Sequence, residues 1–239
     1  MSFAYEEQPV LTDVSFRLEA STVLGLLGRT GGGKTTITRL IARLYDPTAG
    51  KVRVGGVDLR QSDPDSLRRA VGVVTQDVQL FGATVRDNLT FFDPAAADSQ
   101  LLSVLDRAGL GGWVRTVGLN TRLGSGGEGL SAGEAQLLAF ARVFLQDPGL
   151  VILDEPSSRL DPATEALLAA ATERLFAGRT VVIVAHRLET VRLADEIMVV
   201  DAGHVVEHGR RADMASDPNS HYARLLAAGA ASELLGTTT

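Results

Sequence analysis

Nine consecutive residues, Gly28-Arg29-Thr30-Gly31-Gly32-Gly33-Lys34-Thr35-Thr36, combine the types needed to hold a polyphosphate. Their spacing fits G-x-x-x-x-G-K-[ST], with an apolar run before them and a helical pattern after. The glycines let the backbone curl so that successive amide hydrogens turn inward onto phosphate oxygens. The start of the following helix adds a partial positive charge. Lys34 is placed to reach the β- and γ-phosphates, and the Thr35 hydroxyl to complete a magnesium site. A tight strand-to-helix turn would account for the glycines but leaves the Lys-Thr pair unexplained. The pattern points to bound ATP, yet alone it does not separate transporters from kinases, GTPases or helicases.

A second constellation supplies acid. Residues 150–153 form an apolar strand that delivers Asp154 and Glu155 to its C-terminal end, where ligands bind in open α/β sheets. Asp154 suits a magnesium shell, directly or through water. Glu155 is the candidate to orient and deprotonate an attacking water. A third constellation, Leu130-Ser131-Ala132-Gly133-Glu134, opens a helix over 135–145. Ser131 with Glu134 reads as a capping box, which would satisfy two orphan backbone amides. That structural role is compatible with anion binding, because a helix N-terminus is also an anion site.

The elements that must position these residues follow from periodicity. Val14, Phe16 and Leu18 alternate with polar residues, which predicts a half-buried strand. Residues 22–27, 71–74, 150–153 and 180–185 read as buried strands. Residues 34–44 have helical spacing at Ile37, Leu40, Ile41 and Leu44, and 162–176 and 222–235 are helix-like. Residues 51–59 read as a hairpin turning on Gly55-Gly56, and 197–207 as another around Ala202-Gly203. From 85 to 129 the pattern is helical. Strands alternating with helices imply an α/β parallel sheet interrupted by a helical insert.

Composition bounds the partners. The 239 residues carry a net charge of −6, so no global basic field exists to hold a nucleic acid. Cysteine is absent, which removes disulfides and thiolate metal sites. No apolar run approaches the roughly 20 residues of a spanning helix, so work at a membrane would need another polypeptide segment to cross it.

The order of phosphate loop, Gln76, LSAGE (130–134), LVILDE (150–155), SRLD (158–161) and His186 resembles the ATP-binding cassette of ABC transporters, from Tyr5 to about Leu226. LSAGE is similar to the family's LSGGQ signature, its most specific element. Residues 81–88 and 185–190 further resemble exporter-type cassettes. The resemblance implies one domain over 1–239 with an α/β, P-loop NTPase (RecA-like) fold. Its mostly parallel sheet, with an antiparallel β subdomain, would occupy 1–84 and 150–239, and an inserted α-helical subdomain 85–149. It implies that Tyr5 stacks on adenine and Val10 flanks the base. Gln76 would touch magnesium or the attacking water and link the site to a transmembrane partner, while His186 would hold the γ-phosphate. Ser131, Gly133 and Glu134 would close over the ATP held by Lys34 of a second subunit, in a head-to-tail homo- or heterodimer. Ser158 to Asp161 would communicate across that interface, and Asp161 before Pro162 also reads as an N-cap. Location at the cytoplasmic face of a membrane, through a transmembrane domain in cis or in trans, is implied with it.

The chain departs from the family pattern in places. Glu134 stands where glutamine is usual, adding negative charge near a phosphate. Ser125 occupies a position where exporters commonly carry glutamate, with Glu128 nearby, and Arg159 replaces a small residue. The chain begins inside what should be a first strand, as though it follows a longer transmembrane polypeptide. Two competing readings are a regulatory half of an asymmetric heterodimer and a DNA-repair, chromosome or translation ATPase. The latter needs coiled-coil insertions, or paired cassettes and basic arms, which are not present.

Overall fold

The computed structural model describes residues 1–75, 77–124, 126, 128–154, 162–185 and 191–234. Gln76, Ser125, Glu155, Ser158, Arg159, Asp161 and His186 lie outside the described residues. The chain divides into two compact units, Met1–Arg68 with Ile152–Glu155 and Thr180–Thr239, and Arg69–Val151 with Pro156–Arg179.

The first unit is built around a central strand whose apolar run leaves no polar face. β3 (Val23–Leu27) is buried along its whole length. It pairs in parallel with β8 (Thr180–Val184) on one side and with β9 (Glu196–Asp201) on the other. β9 turns through Ala202 and Gly203 into the antiparallel β10 (His204–Arg210), with an irregularity between Val205 and Glu207. The six-stranded order is β10-β9-β3-β8-β7-β6, where β7 is Leu150–Asp154 and β6 is Val71–Val74. Strands buried on both faces are continuous aliphatic runs, and that is what 181–184, Val-Val-Ile-Val, shows.

After β3 comes α1 (Lys34–Ile41), which packs against β8. Ile37, Leu40 and Ile41 are buried as the periodicity expects, but Leu44 is 66% exposed. The reason is local. α1 stops at Ala42, Arg43 takes a left-handed φ of 52°, and Leu44 N–H bonds back to Arg39 C=O at 2.9 Å. This Schellman closure turns the next side chain out of the helical stripe.

Two short antiparallel pairs complete the unit: β1 (Phe3–Tyr5) with β2 (Gln8–Leu11), and β4 (Arg53–Val54) with β5 (Val57–Asp58) across Gly55-Gly56 as expected. Residues 14–18 are not a strand, contrary to the alternation in their sequence. Val14 is buried and Ser15 and Arg17 are exposed, so the period-two burial survives without a strand pairing. Val14 is tied instead to the chain start, its carbonyl accepting from the Met1 ammonium at 2.6 Å. The remaining elements are a 3₁₀ turn (Leu59–Gln61), α2 (Pro64–Ala70), α8 (Arg211–Ser216) and α9 (His221–Leu234).

In the second unit α6 (Ala132–Gln146) is the central element. Leu137, Leu138, Phe140, Ala141, Val143 and Phe144 are all buried along it, which is more than one stripe of the helix. α4 (Asp98–Arg107) and α7 (Pro162–Phe176) pack on it, as do α3 (Val85–Thr90) and β6; α5 (Gly111–Val117) packs on α4. Each such Leu or Phe taken out of water stabilises by about 1.5–3 kcal/mol, so the unit is organised around this one helix. Residues 85–149, expected to be helical, lie wholly in this unit, which also takes in β6 and α7.

Candidate functional site

The phosphate-loop residues 28–33 leave the buried end of β3 and enter α1 without a side-chain cap and without an acidic residue in the first turn. The first amides of a helix have no intrahelical acceptor, so an uncapped start presents them, with the dipole's positive end, to an anion. The loop is wedged against the end of β9. Gly203 N–H donates to Gly32 C=O at 3.1 Å, and Gly32 N–H to Arg29 C=O at 3.1 Å. A Cβ placed on Gly28, where φ is 138°, would fall 1.9 Å from the Val200 carbonyl oxygen. That position takes only glycine because backbone meets backbone there.

Lys34 is buried, at 4% exposure, and its Nζ donates to the Gly28 carbonyl at 2.7 Å and the Arg29 carbonyl at 2.9 Å. An ammonium has three donors, so one remains for a ligand. Burial pushes this lysine below its ordinary value, and the Asp154 carboxylate opposes that shift. Asp154 is therefore close enough for its charge to be felt at Lys34. Thr35 is exposed beside them and Thr36 is buried. Among the described residues no cluster of three His, Cys, Asp or Glu could hold a metal by itself. The Thr35 hydroxyl and Asp154 carboxylate are hard oxygen donors of the kind magnesium takes when phosphate and water supply the rest of its shell, so the residues present fit that ion.

Tyr5 is half-buried at the end of β1, and its hydroxyl accepts from Arg39 Nη1 of α1 at 3.1 Å. Burial acts to raise this phenol, while hydrogen bonds from Arg39 and Thr36 more than offset it, leaving the group below its ordinary value. Val10 is half-buried on β2, and a Cβ on Gly203 would meet its carbonyl at 2.3 Å. The structure thus gathers Tyr5, Val10, residues 28–36 and Asp154 within the first unit. Arg39 and the Gly203 turn were not marked as site residues by the sequence. Their contacts join segments far apart in the chain, which no local spacing reports.

In the second unit the capping box of α6 is formed as read. Ser131 Oγ accepts from Glu134 N–H at 3.2 Å, and Glu134 Oε2 accepts from Ser131 N–H at 2.8 Å. Ser131 is exposed and Gly133 buried. Farther along the helix, Arg142 Nε donates to Asn88 C=O at 2.7 Å, Nη1 to Gln79 C=O at 2.9 Å and Nη2 to Asn88 Oδ1 at 3.2 Å. Burial lowers this guanidinium to about 10. Its Cζ lies 4.7 Å from the Phe91 ring centroid, and Phe81, Phe91 and Phe92 form an exposed aromatic cluster beside it. The catalytic candidates Glu155, His186 and Gln76 are outside the described residues.

Comparison with known proteins agrees with the geometry. The sequence profile of the family described as ABC transporter matches residues 11–158. A multidrug efflux ATP-binding/permease protein of Mycobacterium tuberculosis is 42% identical over 229 residues, covering 95% of this chain and 19% of that protein. The toxin RTX-I translocation ATP-binding protein of Actinobacillus pleuropneumoniae is 40% identical over 215 residues, covering 89% of this chain and 30% of that one. A bacterial Atm1-family ABC exporter solved with ATP bound superposes with a TM-score of 0.87 at 31% identity, covering 96% of this chain and 40% of that chain. The chain spans well under half the length of each of these proteins. With the profile reaching across more than half of its residues, the chain belongs to the ABC transporter family.

Proposed function

We propose that this chain is the ATP-binding and ATP-hydrolysing domain of an exporter, which closes head to tail with a second such domain around two ATP molecules. One observation carries the reading: a buried ammonium, Lys34, is folded onto the carbonyls of a glycine loop at an uncapped helix start. A buried cation with a donor to spare, beside several unmatched amides, is matched by a polyphosphate.

In this reading the amides of the loop and of α1 bind the phosphates, and Lys34 neutralises charge on the β- and γ-oxygens. Magnesium, held by Thr35 and Asp154, would supply electrostatic stabilisation of the phosphate oxygens. Glu155 accepts a proton from water as the water oxygen bonds to the γ-phosphorus. The bond from that phosphorus to the β–γ bridging oxygen breaks, and ADP and inorganic phosphate leave. His186 and Gln76 hold the γ-phosphate and the attacking water, a role assigned from their motif positions. Tyr5 stacks on adenine and Val10 flanks it, while Ser131, Gly133 and Glu134 close over the partner's γ-phosphate. The Ser131 hydroxyl keeps its own proton free to donate, since in the capping box its oxygen only accepts.

Among the described residues no helix is long and apolar enough to cross a membrane. Transport therefore requires a transmembrane domain in the same or another polypeptide, with this domain at the cytoplasmic face. The exposed Phe81, Phe91 and Phe92 supply a surface of the kind such a partner covers. The transported substrate is set by that partner. The net charge of −6 supports a role without nucleic acid.

A second reading is favoured by the Glu134 carboxylate at the start of α6, where it offsets the positive helix end. In an asymmetric heterodimer this chain would be the regulatory half, completing its partner's site poorly. The ATPase rate per subunit, measured against the concentration of the purified chain, separates the two. A rate that rises with concentration supports the competent homodimer, and a rate near zero at every concentration supports the regulatory half. A constant rate above zero would contradict both.

A further inference from the structure

The Tyr5 ring is held from more than one side. Phe3 lies 4.8 Å from it at an interplanar angle of 89°, and Tyr45 lies 5.2 Å from it, also at 89°. Phe3 and Tyr45 are themselves 5.6 Å apart, so the three rings form a closed triangle. The Tyr5 hydroxyl is fixed separately by Arg39 at 3.1 Å. Neither neighbour lies parallel to Tyr5, so neither is stacked on it as a planar ligand would be.

Two independent backbone ties bring Tyr45 to this place. The Schellman closure at Arg43 ends α1 just before it, and the Arg43 guanidinium pairs with Asp46 at 3.5 Å just after it. Farther on, Ser2 and Ala49 form a bridge, with Ser2 N–H to Ala49 C=O at 2.9 Å and Ala49 N–H to Ser2 C=O at 3.2 Å. The Thr48 hydroxyl adds a bond to the Ser2 carbonyl at 3.1 Å. Segment 45–49 is thereby strapped beside β1, which carries Phe3 and Tyr5. Phe3 is 5% exposed and belongs to the core, whereas Tyr45 is 44% exposed. Burial alone gives such a ring little reason to sit where it does; its specific contacts are with Phe3 and Tyr5.

We infer that Tyr45 is a positioning residue for the nucleotide base, holding the Tyr5 ring in the orientation in which it stacks. This rests on the reading of Tyr5 as the residue that stacks on adenine. A tyrosine side chain turns about two torsions, and a ring already fixed at its edge and at its hydroxyl loses less freedom when a base arrives. Edge-to-face pairs add to stability beyond their area, which makes Tyr45 an energetic clamp rather than a spacer.

The test measures affinity for ATP and for inorganic tripolyphosphate, which lacks the base, in the full chain and in the variants Y45A, Y45F, Y5A and Y5A/Y45A. Y45A is expected to weaken ATP about two- to tenfold, with tripolyphosphate affinity and kcat at saturating ATP unchanged. Y45F restores the affinity, because the ring and not the hydroxyl makes the contact. Y5A/Y45A is expected to be no weaker than Y5A, since the clamp has nothing left to hold. Wild-type ATP affinity in Y45A, an equal loss for tripolyphosphate, or additive losses in the double variant would each overturn the inference. If Y5A itself leaves ATP affinity unchanged, the reading of Tyr5 falls; if Y5A weakens ATP and Y45A does not, only the role of Tyr45 falls.

Discussion

Gly28→Ala tests whether the phosphate loop is shaped by the end of β9. The added methyl would stand 1.9 Å from the Val200 carbonyl oxygen, and because both partners are backbone, no rotamer change relieves the clash. Restoring ordinary contact at about 3–3.4 Å moves the loop by roughly 1–1.5 Å, and a left-handed φ outside the favoured region adds about 1–3 kcal/mol of strain. A loss of about 2–4 kcal/mol in unfolding free energy is expected, read from the urea midpoint at constant m. The amides that converge on phosphate shift with the loop, and a misplacement of about 1 Å at such a site costs on the order of a hundredfold in activity. ATP binding and ATPase rate should therefore fall together with stability. Wild-type stability and wild-type ATP affinity in Gly28→Ala would refute the claim that β9 shapes the loop.

Three further outcomes follow from the geometry. Lys34 binds its proton less tightly in the folded chain than when unfolded, so the unfolded state holds more protons as pH climbs toward 10.5. Stability should consequently rise across the window just below that value, and Lys34→Met should flatten the rise in pH-dependent melts while abolishing ATP binding. Asn88→Ala removes the side chain that receives Arg142 Nη2 and bonds both Phe81 backbone groups. Leaving a half-buried guanidinium and the Phe81 N–H each short of a partner should cost about 1–3 kcal/mol by chemical denaturation. Ser131→Ala removes the N-cap of α6 and should cost about 1 kcal/mol in the same measurement. Its ATPase loss should exceed what that destabilisation explains if Ser131 also reaches a partner's phosphate.

Much of this was legible because local rules carry it. The buried strands at 23–27 and 181–184 carry only aliphatic residues and one glycine, and a run without polar residues must be covered on both faces. The Ser131–Glu134 box was readable from a three-residue spacing, since both its bonds close within one turn. The glycine loop was readable because a simple turn explains its glycines but not the Lys34-Thr35 pair that follows them. Residues 14–18 misled because alternation reports which side chains are buried and not whether a neighbouring strand exists to pair with them. Leu44 misled because one left-handed residue, Arg43, ended the helix a turn early. Arg39 and Tyr45 around Tyr5, Gly203 under Gly32, and Arg142 on Asn88 were not legible at all. Each contact joins segments that only the completed fold brings together, and composition at either end carries no mark of the other.

In the proposed function the glycine loop holds half of a site, and a second chain completes it. The variant Glu155→Gln bears on it without detour, because it keeps the side chain's shape while removing the base proposed to accept the water proton. Sedimentation of this variant with and without ATP, alongside its turnover, is the measurement. A monomer without nucleotide, a stable dimer with two ATP retained, and no turnover are expected. A variant that turns over at the wild-type rate, or that binds ATP and remains monomeric at every concentration, would contradict it.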